Sequence, residues 1–526
     1  MITKINKFSG KWNVESGMRN VCYIVISLLF PLSPFLFICC QSSLVPTQFT
    51  DIKKSSPHIY PDYVDVTIPV NIAPLTFELD DSCDEIVARF SADDYQLVCG
   101  GKAVQPEMND WHELVSKAVG KDINVEVFIR LGEEWWRFKP FHITVSADSI
   151  DSYLSYRLIS PSYVAYEELT LNQRCLENYD EKVMVNNMLC GKETTGQCVN
   201  CHNYQQYNPQ RMQFHARQFH GGTVIAYDGH LRKINMRNDS ILSAGVYPAW
   251  HPWLPLIVYS TNKTSQCFHT RNPNRIEVFD AVSDLIAYDV NKNEVTNIEN
   301  DQSEFEVFPV WAPDGKTLYY CSAHLEFRDT VDHAVEVIHR YQELKYDIYK
   351  KSFDPDTWQF GPRELVFAAD SLDMSATIPR VSPDGRFLMF TMGHYGVFHI
   401  WHREADLWLL DLTTGEVRSM EEINSPETES FHNWSSNGRW VVFSSRRYDG
   451  SYTRPFFAHI DANGKGSKPF ELPQADPDYH RQFMKCYNIP EFMHGPVEVT
   501  PQEFASLLKA SDGEPVKYVQ KLRKNE

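Results

Sequence analysis

The chain is 526 residues long, 43% hydrophobic and 13% aromatic, enough apolar material for two or three domains and too much for a chain that stays unfolded. Its formal net charge is −19, with no stripe of Lys and Arg to displace counterions from phosphates, which excludes nucleic acid as a partner. The same acidity favours solubility and repels anionic membrane surfaces.

The first segment stands apart from any fold. MRNVCYIVISLLFPLSPFLFICCQSS begins at Met18 and carries no charge from Asn20 to Cys40, while Lys4, Lys7, Lys11 and Arg19 precede it. That is the charge layout of an export signal. About twenty apolar residues reach across a bilayer, but Pro31 and Pro34 interrupt the helix. The run ends at Cys39-Cys40 before Gln-Ser-Ser. It resembles a bacterial lipoprotein signal, in which a cysteine after a short apolar box is lipidated and becomes the mature N-terminus. The resemblance implies lipidation at Cys40, with Cys39 the competing position, and a chain held by its lipid in the periplasm or cell envelope, at the outer membrane. The box departs from the pattern at Phe37-Ile38-Cys39, where a small residue is usual. A cleaved soluble signal and an uncleaved anchor are the other readings.

Nine cysteines follow Cys40. Cys83 and Cys99 bracket a short segment and are expected to pair; Cys175, Cys190, Cys198 and Cys201 crowd one stretch; Cys267, Cys321 and Cys486 read as buried thiols.

Residues 41–61 are rich in Ser, Pro and Thr and form a tether. Over 62–155 the pattern turns β-like in YVDVTIPVNI, NVEVFIRL (124–131) and WWRFKPFHITVSA (135–147). One helix interrupts it, with Asp110 as cap, Trp111, Leu114, Val115 and Ala118 on one face and Gly120 as stop. A small β-sandwich-like domain is expected, acting as a spacer or docking module.

A repeat occupies the second half. VYPAWHPWLPLIVYST (246–261), VFPVWAPDGKTLYYCS (307–322), TIPRVSPDGRFLMFTM (377–392) and SFHNWSSNGRWVVFSS (430–445) each read strand, turn, strand. Asp314-Gly315, Asp384-Gly385 and Asn437-Gly438 are hairpin dipeptides that allow positive φ. Units of this length that cannot bury both faces alone must stack radially as propeller blades. The W-x-P-D-G-K/R pattern resembles the repeats of TolB-like β-propellers, although HPWLP in the first copy departs from it. The resemblance implies a mostly β protein whose propeller, over 221–475, has five or six blades, six being expected, and binds protein partners through one face. GGTVIAYDGHLRKIN (221–235) reads as the outer half of an earlier blade, with SYRLISPSYVAYEELTL (155–171) the candidate to complete it. Residues 156–220 are then a connecting segment and 476–526 a C-terminal extension. The extension holds one helix over 500–513, with Thr500 and Glu503 in a capping box and Phe504, Leu507 and Leu508 packed inward.

The connecting segment contains TTGQCVNCHNY (194–204). Two cysteines two apart with histidine following are the spacing that stitches both sulfurs to one porphyrin edge and turns the imidazole beneath the ring. Cys198, Cys201 and His202 resemble a cytochrome c site, which implies one covalent haem c. His202 would bind iron on one side, and His215 or Met212 on the other. A zinc site of Cys190, Cys198, Cys201 and His215 is a second reading, and a disulfide or redox pair a third.

Enzymatic signals are weak. GKETTGQ (191–197) ends in Gln where a phosphate-binding loop needs Lys, HELVS (112–116) lacks the second histidine of a zinc protease, and no G-x-S-x-G occurs. Asp284, Asp289, Asp347, Asp406 and Asp411 read as turn-capping or solvated blade residues, and His394, His399 and His402 as candidates for a propeller mouth. The expected function is electron transfer or redox or ligand sensing with a protein partner. A non-redox periplasmic scaffold is the alternative, and a propeller enzyme is third.

Overall fold

The computed structural model describes residues 44–52, 54–161, 168–191, 197–328 and 332–523. The export signal and Cys40 lie outside the described residues. Among those described, no helix is long and apolar enough to cross a membrane.

Within residues 50–146, Ile59–Tyr60 pairs separately with Glu78–Leu79, and seven strands build one sheet. Its strands run in the order Thr50–Ile52, Glu134–Phe138, Asp122–Leu131, Glu85–Ala92, Tyr95–Gly101, and Phe141–Ser146 also pairs with Asp122–Leu131 and with Thr67–Pro69. Helix α1 (Met108–Lys117) buries Trp111, Leu114 and Val115. The Trp111 ring lies 5.9 Å from that of Phe90 and its indole N–H donates to the Ile72 carbonyl at 3.1 Å. The expected sandwich is therefore a sheet with a helix, because the apolar face that alternation predicts is covered by other means. The same core takes in Trp440, Val442, Phe457 and Phe470 from the ring described below. Asp110 falls in the first turn of α1 rather than at its cap, which is Glu107. Cys83 and Cys99 are free thiols. Cys99 pairs with Ala88 across the ladder, five residues along from Cys83, and at ~3.3 Å per residue that exceeds the reach of a disulfide.

Most of the remaining strands, with Glu514–Pro515 and Lys517–Tyr518 added in parallel at two outer edges, form successive four-stranded antiparallel meanders. Their innermost strands are β1 (Val199–Gln205), β2 (Val246–Trp250), β3 (Glu304–Trp311), β4 (Ser375–Val381) and β5 (Glu429–Trp434), each followed by three strands stepping outward. Another innermost strand, β6 (Cys486–Met493), pairs with Tyr153–Ile159, which continues through Thr170–Cys175 to Glu181–Asn186. The innermost strands touch in a closed circuit, β1 to β2 and onward to β6, which returns to β1. The protein is thus mostly β with a propeller-like ring of four-stranded blades. The ring draws strands from both sides of the expected 221–475 span, because one blade joins Cys486–Met493 to strands that precede the span. Segment 153–175 accordingly joins β6 and not 222–235, whose inner half is β1 with Asn208–Ala216.

The hairpin dipeptides behave as read: Gly315, Gly385 and Gly438 have φ of 59°, 75° and 68°. Helix α2 (Pro501–Ala510) keeps the capping box, with the Glu503 N–H donating to Thr500 Oγ1 at 3.3 Å and the Thr500 N–H to Glu503 Oε2 at 2.8 Å. Phe504 and Leu508 are buried and Leu507 half-buried; the Phe504 ring lies 5.2 Å from that of Phe214 in the ring core.

Candidate functional site

Every innermost strand carries the same local distortion. Cys201, Tyr247, Phe308, Ile378, Phe431 and Ile489 all have φ between 46° and 56°, the left-handed region that L-residues with side chains rarely enter. Each is followed by Pro or His: His202, Pro248, Pro309, Pro379, His432 and Pro490. The ladders slip at these pairs, so two residues stand opposite one. The single residue opposite is aromatic in every blade: Phe214, Tyr259, Tyr320, Phe390, Phe443 and Tyr156. These are β-bulges, and Pro is admitted because the bulged residue has no ladder bond to donate. A left-handed non-glycine residue costs roughly 1–2 kcal/mol. Its repetition around the ring marks a constraint that the surroundings uphold: the bulge turns the side chain toward the axis.

The C-V-N-C-H motif therefore lies within β1, with Cys201-His202 as its bulge. The left-handed side chains, Cys201 among them, line a small axial cavity of about 20 Å³ together with His202, Arg380 and Glu491. His202 is 1% exposed, and neither ring nitrogen meets a hydrogen-bond partner. Burial, then repulsion from Arg157, pushes its pKa down to about 3, and the main chain at Ile489 opposes this only weakly. Burial likewise raises the Cys201 thiol.

The other expected ligands are not gathered on this ring. His215 is buried on the next strand, its Nδ1 3.0 Å from Thr223 Oγ1. Burial and the Arg217 and Arg237 guanidinium groups hold its pKa at about 3. Met212 sits opposite Tyr204 in the ring core. Cys198 is a buried free thiol whose carbonyl accepts from the Arg217 N–H at 2.9 Å. Among the described residues no three His, Cys, Asp or Glu side chains are grouped to hold a metal ion, which includes Cys190, Cys198, Cys201 and His215. As arranged, these residues do not fit a covalent haem. The space of about 20 Å³ that His202 faces has no room for a porphyrin, and Cys201 lines the same small cavity.

A larger space opens two residues beyond each bulge. There Asn203, Ala249, Val310, Arg380, Asn433 and Glu491 line a cavity of about 170 Å³ at the mouth of the axis, with Trp250 and Trp311 on its wall. Its two arcs differ. Arg380, Asn433, Glu491 and Asn203 come from consecutive strands β4, β5, β6 and β1, whereas Ala249 and Val310 come from β2 and β3. Glu491 is 4% exposed and accepts from the Asn203 side-chain amide at 2.9 Å. Burial raises its pKa to about 7 against the pull of Arg380 and that hydrogen bond. One Arg380 N–H donates to the Pro379 carbonyl at 3.1 Å. Burial lowers its pKa, yet a guanidinium stays charged in a protein. Asn433 Oδ1 accepts from the Phe492 N–H at 3.2 Å.

The composition of this cavity escaped the sequence reading, although the signal was there. NCHNY (200–204) and NIPEF (488–492) align with the quoted VYPAW, VFPVW, TIPRV and SFHNW, and that alignment picks out the whole ring. His399 and His402 do not reach it: His399 Nδ1 lies 2.9 Å from Thr377 Oγ1, and His402 Nε2 3.1 Å from Glu277 Oε2. Asp289 and Asp411 cap turns, accepting from the N–H groups of residues 291–292 and 413–414. Asp347 accepts from the Asp370 N–H. Burial raises Asp284 to about 6 and Asp406 to about 7.

No protein-family model and no curated protein matches the chain. Solved structures are only distantly similar. Prolyl oligopeptidase B from Galerina marginata shares 10% identity at a TM-score of 0.32, over 66% of this chain and 42% of that one. An oligogalacturonate lyase in complex with manganese shares 11% at 0.27, over 65% and 87%. A DUF4784 family protein from Bacteroides caccae shares 7% at 0.26, over 69% and 95%. The chain thus spans about two fifths of the prolyl oligopeptidase it matches.

Proposed function

We propose that this protein is a non-redox, ligand-binding β-propeller of six blades whose axial mouth receives a small polar molecule. The observation that carries this is the built asymmetry of the mouth: a guanidinium, a carboxyl and two carboxamides on one arc, and aliphatic side chains on the other, around about 170 Å³. Ligand sites are concave and mostly apolar, with a few convergent polar groups. A carboxyl displaced toward neutrality in such a place is a mark of function. Support for six blades comes from the bulge and its opposing aromatic residue, which recur once in each strand of the inner circuit. Electron transfer through haem is no part of this reading, because the imidazole it needs is closed inside the ring. With it we propose export and a lipid at Cys40, supported by the uncharged run behind four basic residues.

Trp250 and Trp311 make the test direct. Intrinsic fluorescence of the purified chain is titrated with amino acids, organic acids, sugars and nucleosides. Saturable quenching that Arg380→Met weakens at unchanged circular dichroism supports the reading; no response in any class, or one untouched by that substitution, removes it.

A further inference from the structure

We propose that the axial cavity selects a free α-amino-acid-type zwitterion, with its carboxylate on Arg380, its ammonium on Glu491 and its side chain against Ala249 and Val310. The inference rests on the axial-binding reading and adds the class of ligand. Arg380 and Glu491 line one cavity and feel each other's charge, yet among the described residues no ion pair within 4.0 Å joins them. Glu491 is buried and Arg380 half-buried there, and opposite charges held unjoined in a partly dry cavity favour a ligand that completes both. Each has one bond inside the protein: Arg380 to the Pro379 carbonyl and Glu491 to the Asn203 amide. The rest of their hydrogen-bonding capacity is open, five donors on a guanidinium and about four acceptor positions on a carboxylate.

The alternatives leave one charge unanswered. A simple anion satisfies Arg380 and is repelled by Glu491, and a simple cation does the reverse. A neutral sugar takes water from both charges without replacing their counter-charge. A zwitterion meets both, and its carboxylate matches the planar fork of arginine. Asn433 stands between the two charges on the polar arc and Asn203 beyond Glu491, where their carboxamides hold the orientation. The apolar arc, facing away from both charges, is where an aliphatic side chain escapes water. A peptide end carries only one of the two charges at a single carbon, so a free molecule fits better than a chain terminus.

Glu491 supplies a readout that a merely structural role would not give. Its pKa is about 7 without ligand. An ammonium beside it stabilises the carboxylate, so binding at pH 7 releases about half a proton per site. Below pH 7 affinity falls, approaching about tenfold per pH unit.

The test is calorimetric titration of the whole chain with L-leucine, leucinamide, 4-methylpentanoate and a leucine-terminated peptide, in two buffers of different ionisation enthalpy. Expected are binding of L-leucine, loss of about tenfold or more in affinity for each single-charge analogue, and proton release that vanishes in Glu491→Gln. Equal affinity for 4-methylpentanoate, or for the peptide, overturns the zwitterion while leaving the axial site standing. Binding of sugars or nucleosides in place of leucine does the same. A heat signal that survives both Arg380→Met and Glu491→Gln removes the site itself. Since Gln is nearly isosteric with Glu, unchanged thermal unfolding of that variant separates lost recognition from lost fold.

Discussion

His202 ties the stability of the ring to pH. In the ring it is buried, neutral and unpartnered, with a pKa of about 3 against 6.5 in an unfolded chain. Between those values the unfolded state holds a proton at this position and the folded state does not. The sign follows: stability is fully present above pH 6.5 and is lost as the pH falls toward 3. At about 1.4 kcal/mol per pH unit, the loss between pH 6.5 and 5.0 is about 2 kcal/mol from this one ring. Other buried groups titrate in the same window, His215, His399 and His432 in the same sense and the raised carboxyls of Glu306 and Asp406 in the opposite sense. A comparison of His202→Pro with the parent at each pH cancels them. Proline already stands at this place in β2, β3, β4 and β6, so the backbone accepts it. The variant should gain about 2 kcal/mol on the parent between pH 6.5 and 5.0, read from urea unfolding followed by tryptophan fluorescence. A difference that stays constant with pH, or shrinks, would refute the buried neutral imidazole.

Protein made in cells competent for haem attachment should show no Soret absorbance, and a peptide covering residues 190–204 should keep its unmodified mass. Gly315→Ala should cost about 2–5 kcal/mol, from a left-handed backbone plus overpacking, since a Cβ there would stand 2.5 Å from the Trp253 ring. Gly415→Ala, with φ 78° and nothing within 4 Å of the new carbon, should cost only about 1–2 kcal/mol. Equal losses in chemical denaturation would contradict the packing at the first of these turns. Thr500→Ala removes one half of the capping box on α2 and should cost about 1 kcal/mol, seen as faster hydrogen exchange in residues 501–504 alone.

How far the fold was legible depended on whether the deciding interaction was local. The Asp-Gly and Asn-Gly hairpins and the Thr500–Glu503 box were readable because a turn or a cap is settled within four residues. The covering of the N-terminal sheet was not. Alternation in NVEVFIRL shows that one face is apolar, but nothing in the pattern says whether a second sheet, α1 or Trp440 from a distant blade lies over it. Closure was hidden for a related reason: Tyr153–Ile159 pairs with Cys486–Met493, more than three hundred residues away, and two short apolar strands carry no label for each other. The axial cavity was half legible. Arg380 and Glu491 stand in the repeat at the same step after the bulge, yet their positions in TIPRV and NIPEF look like ordinary strand polar residues until the ring brings them to one cavity.

The bulge also accounts for the appearance of a cytochrome signature in this chain. Each innermost strand needs a residue that tolerates the left-handed region and fills the axis, followed by one relieved of ladder bonding. Proline satisfies the second requirement in four strands and histidine in two, His202 and His432. Phe431-His432-Asn433-Trp434 is thus the same structural sentence as Cys201-His202-Asn203-Tyr204, with an aromatic residue where the thiol stands. Cys201 is the smallest of the axial side chains, and the thiol that completes the C-x-x-C spacing, Cys198, lies one residue ahead of the strand. The demands on Cys201-His202 come from a strand that must bulge toward an axis. Those demands act equally on Phe431-His432, where no haem spacing exists.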